Sequence, residues 1–529
     1  MAFKKIGLPL FISLFLFACQ SDDDGASIPI DNPDPDPNAI DIILSDEVSL
    51  NPTGYAPLSA SIALALKEPV SVRMRVVGQN GNDSDIIQDF SDMGTNLTIP
   101  IHGLYADFDN TVELTFFDDS GNNLGVERYT IKTTPLISEM PLISIQEAKR
   151  EQMADGFTLV SYFGHNGAVF PQRPFMFDSF GNIRWYLDFS RHPVLNTLFY
   201  DNGVERLANG NFYFGSGGGA FGGGGDNTIY EIDLFGSILN SWEMPGYGFH
   251  HEVSEKPNGN FLVTVSKLGA PTIEDYIIEI DRSSKEIIRE WDLNESLQNT
   301  RMTLIEDMVD WIHVNAITYD ATDDTIIISG RTQGLIKLTN ANEVVWIMGP
   351  QKDWGMAGNG MDLNSFLLNP LDNQGQPISD QAVLDGDENH PDFEWNWYQH
   401  APLVMPNRNI MLFDNGDNRN FIGNTYSRAV EYKIDTQNKT IQQVWEYGKS
   451  RSSGLYSRIV SDVDYLESVD HVLVSPGAIS TGGQISGKSV EVDYMTGAVI
   501  FEATIIPPLA FFDVIALHRT ERLSLYPEQ

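Results

Sequence analysis

The chain has 529 residues, of which 42% are hydrophobic and 11% aromatic, as in a folded protein with room for two or three domains. Its 33 Lys and Arg residues stand against 73 Asp and Glu residues, a formal net charge of −40. Such a charge repels nucleic acid and anionic membrane surfaces, so neither is an expected partner. An anionic substrate would need a locally positive pocket in this protein.

The first 39 residues have the pattern of a lipoprotein leader. Residues 1–18 combine a basic start with a short apolar run, which predicts a secretory signal peptide too short to remain a membrane span. The sequence Leu-Phe-Ala-Cys at 16–19 resembles a lipobox, so Cys19, the single cysteine, is the expected lipidation site. Residues 19–39 are polar and proline-rich, as in a stiff tether. We therefore expect a protein lipid-anchored to the outer membrane, facing the periplasm or the cell surface.

Residues 40–135 form short runs in which apolar and polar positions alternate, separated by turns such as the one at 119–122. A period of two is typical of strands that bury one face, and it predicts a small β-sandwich. Because no residue of this segment suggests chemistry, we interpret it as a spacer or docking domain.

From about residue 150 a second pattern repeats, in which a strand, a tight turn and a strand carrying an aromatic residue follow one another. Its copies lie at 175–185, 230–242, 278–291, 336–346, 431–445 and 491–501. Repeated β-hairpins are typical of propellers, where each blade needs its neighbours to bury both faces. We predict an all-β fold, a six-bladed β-propeller over residues 150–529 preceded by the small N-terminal β-sandwich domain. An insertion at about 349–394 is expected to form a loop over one face.

Three histidines share one phase of this repeat. His251, His313 and His400 each lie six residues before a turn that leads into an apolar strand. Asn202 and Asp462 take the corresponding place in two further units. Residues at this phase start the innermost strand of a blade, so we expect them to face the central axis and to meet there.

Imidazoles at such an axis suit either a metal ion or an anion. The metal interpretation is weakened because Asp462 is the only carboxylate at the matching phase, and because the Arg331 guanidinium would repel a cation. Arginine offers a fork of donors that fits an oxyanion, and a neutral histidine can act as nucleophile or as acid and base. We expect Arg331 elsewhere along the channel or at its far edge, with a surface salt bridge as the alternative role. No metal and no cofactor is predicted.

Several segments together resemble the bacterial arylsulfate sulfotransferases. They are 249–252 (Phe-His-His-Glu), 311–316 (Trp-Ile-His-Val-Asn-Ala), 329–333 (Ser-Gly-Arg-Thr-Gln), 399–401 (Gln-His-Ala) running on to 413–416 (Phe-Asp-Asn-Gly), and 426–432 (Tyr-Ser-Arg-Ala-Val-Glu-Tyr). The family layout, a small β-sandwich before a six-bladed propeller, is also similar, and the resemblance covers about residues 40–520.

The resemblance implies that a phenolic sulfate ester donates its sulfuryl group to a phenolic acceptor, without a nucleotide sulfate donor or a cofactor. His400 matches the family nucleophile, which becomes a transient sulfohistidine. His251, His313, Asn315 and Arg331 match residues that hold the sulfuryl oxygens. One of the two other histidines would also protonate the leaving phenolate, and the resemblance leaves open which one.

The chain departs from the family in one respect, because enteric members carry a disulfide near the active site and Cys19 has no partner cysteine here. Of the pair His250 and His251, only His251 keeps the six-residue phase and is preferred. Two alternatives stay open: a non-catalytic propeller lipoprotein that binds sulfated or other anionic ligands, and a metal-dependent lyase or hydrolase on the same scaffold. The oligomeric state is also open, with a homodimer among the options.

Overall fold

The computed structural model describes residues 41–164, 172–198, 203–216, 227–304, 307–423, 426–508 and 514–527. The signal peptide at 1–18, Cys19, the tether at 19–39 and Asn202 lie outside the described residues. Within the described ranges, no helix is both long and apolar enough to cross a membrane.

The N-terminal segment forms one five-stranded antiparallel sheet. Its strands are β1 (Ile43–Leu50), β2 (Ser59–Val76), β3 (Ile86–His102), β4 (Asp109–Phe117) and β5 (Asn123–Lys132). Strand β3 pairs with β2 along both of its halves, whereas β1 pairs with the first half of β2 and β4 with the second. Buried residues alternate with more exposed ones along β2 and β4, as the period of two predicts. A short 3₁₀ helix, Asn82–Ser84, connects β2 and β3.

The next strands along the chain are β6 (Leu142–Ala148), β7 (Phe157–Gly164), β8 (Phe175–Phe177), β9 (Ile183–Tyr186), β10 (Glu205–Arg206), β11 (Phe212–Ser216), β12 (Thr228–Ile232), β13 (Ile238–Glu243), β14 (Tyr247–Glu255), β15 (Phe261–Lys267), β16 (Tyr276–Ile280), β17 (Ile287–Asp292), β18 (Val314–Asp320), β19 (Thr325–Gly330), β20 (Gly334–Thr339) and β21 (Val344–Met348). They are followed by β22 (Asn369–Leu371), β23 (His400–Val404), β24 (Ile410–Asp414), β25 (Arg428–Asp435), β26 (Thr440–Tyr447), β27 (Asp462–Leu466), β28 (His471–Ser475), β29 (Ile479–Thr481), β30 (Gln484–Asp493), β31 (Val499–Ile506) and β32 (Ile515–Leu523). Among the described residues after β5, helical structure is limited to short segments, namely α1 (Leu293–Ser296), α2 (Gln381–Leu384), and the 3₁₀ segments Leu363–Phe366 and Lys449–Gly454.

These strands form six further sheets, so the described chain is all-β. Their strand orders are β10-β11-β12-β13, β14-β15-β16-β17, β18-β19-β20-β21, β22-β26-β25-β24-β23, β27-β28-β30-β31-β6 with β29 beside β30, and β32-β7-β8-β9. Each of the six predicted hairpins is present as an antiparallel pair, namely β8–β9, β12–β13, β16–β17, β20–β21, β25–β26 and β30–β31.

In four of the hairpins, a tryptophan forms a hydrogen bond to the next sheet. The indole N–H of Trp185 donates to the Leu234 carbonyl at 2.9 Å, and that of Trp242 to the Arg282 carbonyl at 2.9 Å. Trp291 and Trp445 make the same bond to Thr339 and Tyr494, at 2.9 and 2.8 Å. Each acceptor lies in the hairpin of the following sheet. The repeat therefore carries Trp because this side chain fills the space between sheets and bonds across it.

Adjacent sheets also contact through their first strands: β14 contacts β18, β18 contacts β23, β23 contacts β27, and β27 contacts β32. The starts of these strands, where the repeat-phase residues lie, are thereby brought into one region of the molecule.

Two segments contribute strands that the sequence pattern did not indicate. Strand β6, which precedes the predicted boundary at residue 150, pairs with β31 of the last repeat. The insertion at 349–394 is more than a loop, because β22 within it pairs in parallel with β26. Its buried Leu368, Val383 and Phe393 join the hydrophobic core beside β24 and β25, although Gly, Asn and Asp dominate the surrounding sequence.

Candidate active site

The first strands of the sheets are irregular at one common level. His251 in β14, His313 just before β18, and Ala401 in β23 have φ values of 58°, 51° and 49°. Ser461, just before β27, has a φ of 93°, and the register of β32 shifts at His518. Left-handed backbone is unfavourable for residues other than glycine, and bulges redirect side chains next to many active sites. Here the irregular positions turn polar side chains toward one another.

The three histidines predicted at the repeat phase lie close together. The ring centroids of His251 and His313 are 5.1 Å apart, and their Nε2 atoms are 3.2 Å apart. The rings of His251 and His400 are 6.4 Å apart. Residues from three different sheets therefore meet around one point, as the sequence analysis expected of them.

A small cavity opens at this point. An ion pair faces it, formed by Glu252, which follows His251, and by Arg519, for which no role was predicted, with an Nη2–Oε2 distance of 2.9 Å. Asp462, the fifth repeat-phase residue, also faces the cavity, and burial raises its pKa to about 6. The lining residues are His251, Glu252, Asn315, His400, Ala401, Val460, Ser461, Asp462, His518 and Arg519.

The orientation of His400 is set by its Nδ1 atom. Nδ1 lies 2.8 Å from Asn415 Oδ1 and 3.2 Å from the Tyr398 carbonyl oxygen. The Asn415 amide group donates to the carbonyls of Ser457 and Val460, both at 2.9 Å, which leaves its Oδ1 facing His400. Because both neighbours of Nδ1 are acceptors, Nδ1 carries the proton and Nε2 carries the lone pair.

The imidazole of His400 is neutral near neutral pH. Burial, followed by the positive charge of Arg331, lowers the pKa of His400 to about 3. A buried neutral imidazole with a free lone pair on Nε2 is a nucleophile.

His313 has the opposite surroundings. Its Nδ1 lies 2.7 Å from Asp310 Oδ2 and 2.7 Å from Glu274 Oε2. Burial favours the neutral ring, but the two carboxylates outweigh it and raise the pKa of His313. Glu274 also lies 2.7 Å from Nε2 of His250. The pKa of the Glu274 carboxyl is low although burial opposes its ionisation, because His250 and His313 both stabilise the anion.

Arg331 lies beside this group, and the expectation that it would sit elsewhere along the channel was wrong. Its backbone N–H donates to the His313 carbonyl at 3.0 Å. Strand β19, which Arg331 follows, runs antiparallel to β18, so its end returns to the level at which β18 begins. The guanidinium lies 4.8 Å from the centroid of the Tyr398 ring and 3.7 Å from Asp417 Oδ2. This long contact leaves most of its donors available to an anion.

Asn315 connects two of the sheets at the cavity wall. Its Nδ2 donates to the carbonyl of Gln399 at 2.8 Å, directly before His400. Its Oδ1 is buried and has no hydrogen-bond partner among the described residues. Asn315 therefore fixes the segment that carries His400 and still has one amide N–H to offer to a ligand.

The residues around His251 and His313 also include possible ligands for a metal ion. Two groups have ligand atoms within 4.8 Å of one another, His250 with His251 and His313, and Glu274 with Asp310 and His313. The carboxylates missing from the repeat phase are thus supplied by positions outside it. Imidazole and carboxylate donors of this kind suit a transition metal.

His250 was set aside in favour of His251, and no role was predicted for Glu274, Asp310 or Asn415. Asp310 precedes His313 by three residues and Asn415 lies in a segment that was singled out, so spacing gave some signal for both. Glu274 lies in the connection between β15 and β16, far in sequence from the histidines it contacts, and no spacing points to it.

An all-β protein with a neutral histidine at a cavity, and with a histidine of raised pKa and an arginine close to it, has the constituents of a site that transfers an anionic group. Comparison with known proteins supports this class. The family model described as arylsulfotransferase (ASST) matches residues 143–507, and the arylsulfotransferase Ig-like domain matches residues 47–134.

Curated relatives include the arylsulfate sulfotransferases AssT of Lelliottia amnigena and of Escherichia coli O6:H1. Each is 28% identical over 556 aligned residues, covering 87% of this chain and 90% of the relative. Among solved structures, an auxiliary nutrient binding protein from Bacteroides ovatus aligns with 85% of this chain and 94% of its own at 8% identity and a TM-score of 0.29, too low to support an argument. The chain belongs to the arylsulfotransferase family, has an Ig-like N-terminal domain, and is an enzyme that transfers sulfate groups.

Proposed function

We propose that this enzyme transfers a sulfuryl group from a phenolic sulfate ester to a phenolic acceptor through a sulfohistidine on His400, without a nucleotide sulfate donor. The observation that carries the proposal is the arrangement at His400, where Asn415 and the Tyr398 carbonyl hold the proton on Nδ1 and leave the Nε2 lone pair beside the cavity. Both substrates then react in turn at one site, in a ping-pong sequence.

In the first step, His400 Nε2 attacks the sulfur atom and forms an N–S bond. The bond between sulfur and the aryl oxygen breaks, its electrons pass to that oxygen, and His251 or His313 supplies the proton. Arg331 and the second N–H of Asn315 are positioned to hold the sulfuryl oxygens. Preorganised donors of this kind are typically the largest single contribution to such catalysis.

In the second step, the acceptor phenol attacks the sulfur of the sulfohistidine. The N–S bond breaks, His400 recovers its lone pair, and the phenolic proton passes to the same histidine that protonated the first leaving group. The enzyme returns to its starting protonation state, and a new aryl sulfate leaves.

We also propose that residues 142–527 form a six-bladed propeller. Support comes from the six sheets, the contacts of their first strands, and the indole bonds between successive hairpins. The histidines would then face the central channel, which explains how residues of three sheets reach one cavity.

The leader sequence motivates a proposal on location. Cleavage after residue 18 and lipidation of Cys19 would anchor the enzyme to the outer membrane, with the membrane reached through this anchor alone. Cells grown with labelled palmitate should label the wild-type protein and not Cys19→Ser, which should remain in the soluble fraction. Labelling of the Cys19→Ser variant would overturn this proposal.

Initial rates with a chromogenic aryl sulfate and a phenol test the transfer. Double-reciprocal plots at several acceptor concentrations should be parallel, and a chelator should leave the rate unchanged. Intersecting lines would contradict the ping-pong sequence. Loss of activity with a chelator would favour a metal-dependent enzyme, and binding of aryl sulfate without turnover would favour a ligand-binding protein.

A further inference from the structure

Asp462 faces the cavity at His400 from the adjacent sheet. It begins β27, is 7% exposed and lines the same cavity as His400. One side chain, Asn415, fixes both walls: its Oδ1 lies 2.8 Å from His400 Nδ1, and its Nδ2 donates to the Val460 carbonyl at 2.9 Å. Val460 precedes Asp462 by two residues. An anion bound beside His400 therefore shares its cavity with the Asp462 side chain.

The backbone before Asp462 is held in an unfavourable conformation. Ser461 has a φ of 93°. Its hydroxyl group donates to Ser457 Oγ at 2.8 Å and accepts from the Gly477 N–H at 2.9 Å. Such a conformation persists only where the surroundings hold it, as is common at functional sites. The start of β27 is thus fixed at the cavity wall.

The charge of Asp462 is not balanced by a cation of its own. Arg519 is the cation that acts on it, but the guanidinium already pairs with Glu205 and, at 2.9 Å, with Glu252. One ionised carboxylate of these two is enough to neutralise the guanidinium. Burial therefore outweighs Arg519 and raises the pKa of Asp462 to about 6, so this side chain is an anion above that pH. A bound anion must face this negative charge.

Sulfate and phosphate monoesters have the same tetrahedral shape but differ in charge. A sulfate monoester carries one negative charge, whereas a phosphate monoester, with a second pKa of about 6, carries about 1.5 to 2 near neutral pH. Cationic donors such as Arg331 attract both esters, and the dianion more strongly. A carboxylate in the wall repels both, and the dianion about twice as strongly. Cationic donors alone would favour phosphate, so selection for sulfate needs a negative group of this kind.

We propose that Asp462 is a specificity-determining residue, which makes the site accept singly charged sulfate esters and reject doubly charged phosphate monoesters such as aryl phosphates. The inference rests on the proposed function, in which the anion binds beside His400. No bond forms or breaks at Asp462. Its role is to raise the free energy of a bound dianion relative to that of a bound monoanion.

Benzenesulfonate and phenylphosphonate test this inference, because they have the same shape and differ by one charge. Their dissociation constants are measured by calorimetry, at a pH above the pKa of Asp462 at which the phosphonate is a dianion. The wild type should bind benzenesulfonate at least about tenfold more tightly than phenylphosphonate. Asp462→Asn keeps the size and removes the charge, so it should lower this ratio about tenfold. Asp462→Ser, which also removes the charge, should lower it to a similar extent.

Asp464→Asn provides the matched control. Asp464 lies two residues further along β27, on the same face of the strand, and lines the neighbouring cavity. Burial raises the pKa of Asp464 well above its usual range, so this side chain adds little negative charge. The same substitution at this position should change the ratio by less than about twofold.

An unchanged ratio in Asp462→Asn, or an equal change in Asp464→Asn, would overturn the inference. A wild type that binds the phosphonate as tightly as the sulfonate would overturn it too. Failure of the proposed function looks different, because the wild type would then discriminate between the two anions without transferring sulfate from an aryl sulfate to a phenol.

Discussion

His400 and His313 are the same residue type at the same level of neighbouring sheets, but their partners give them opposite properties. His400 Nδ1 meets an amide oxygen of Asn415, and burial then keeps the ring neutral, with a pKa lowered to about 3. His313 Nδ1 meets two carboxylates, and the pKa of that ring is raised in spite of burial. The group on Nδ1 therefore decides whether Nε2 offers a lone pair or a proton.

In the proposed transfer, this difference suits two equivalent positions of the repeat to different roles. In the proposed transfer the nucleophile must be unprotonated and the general acid protonated at the same pH. The rings of His313 and His400 lie 5.1 and 6.4 Å from the ring of a shared neighbour, His251. Substitutions that remove His400 or Arg331, or that give His400 a carboxylate partner like those of His313, test this difference.

Removal of the nucleophile has the largest expected effect. His400→Ala should lower kcat for aryl transfer by more than about 1,000-fold, because the proposed covalent intermediate forms on this side chain. Circular dichroism and the melting temperature should stay close to those of the wild type. Normal turnover by this variant would show that another residue accepts the sulfuryl group.

Loss of the cationic donor next to both histidines should have the second-largest effect. Arg331→Gln should reduce kcat/KM by about 100-fold, the typical cost of one preorganised donor to a developing anion. Arg458→Gln is the matched control, because Arg458 also contacts Asp417, at 3.4 Å, but its side chain is 58% exposed. Equal losses in the two variants would indicate that Arg331 acts through Asp417 and not on the anion.

Asn415→Asp should convert the neutral side of the comparison into the charged side. A carboxylate on Nδ1 raises the pKa of His400, typically by about 1–3 units for an adjacent opposite charge. The nucleophile is lost below its pKa, so the acid limb of kcat/KM should move upward by the same amount. Asn415→Leu removes the hydrogen bond without adding charge and should lower the rate without this shift.

The pH profile of the wild type should show the smallest effect. The pKa of His400 is about 3, so its imidazolium has already lost a proton by about pH 4 and the ring is neutral at any higher pH. His400 should therefore cause no decline in rate on the acid side above about pH 4. His313, which faces His250, His251, Glu274 and Asp310, is protonated and active below its raised pKa and inactive above it. Rates with phenyl sulfate should therefore fall on the basic side more than rates with nitrophenyl sulfate. An equal decline for both donors would argue against an acid in this position.

Strand β24, which pairs with the strand that carries His400, ends in a buried polar network. Asp414, fully buried at the end of β24, accepts from Arg419 Nη2 and Arg428 Nε, both at 2.9 Å, and from the backbone N–H of Trp397 at 2.9 Å. Asn415 follows directly and reaches the Ser457 and Val460 carbonyls. This buried network connects the segment before His400 to the one behind it.

The all-β class, the hairpins and part of the candidate site could be predicted from the sequence because they follow the repeat. The hairpin pattern identified six pairs of strands, and the six-residue spacing selected His251, His313 and His400, whose rings meet. The strand β6 was missed because it lies outside the hairpin pattern, and β22 because it lies in an insertion with a polar composition. Their partners, β31 and β26, are distant in the chain.

The residues that set the protonation states could not be found in the same way. Glu274 and Asp310 lie in connections between strands, where no periodicity constrains the sequence. Arg331 was expected at the wrong level because the antiparallel return of β19 toward His313 depends on the pairing register. The repeat predicts where backbones meet, while the partners on Nδ1 depend on contacts between loops.

The most direct measurement is a rapid acid-free quench of the enzyme with aryl sulfate and no acceptor, followed by mass spectrometry of its peptides. The account predicts that the peptide containing His400 gains the mass of one sulfur trioxide group, that the adduct is lost in acid, and that added phenol discharges it. Turnover without such an adduct, or an adduct on a different residue, would contradict it.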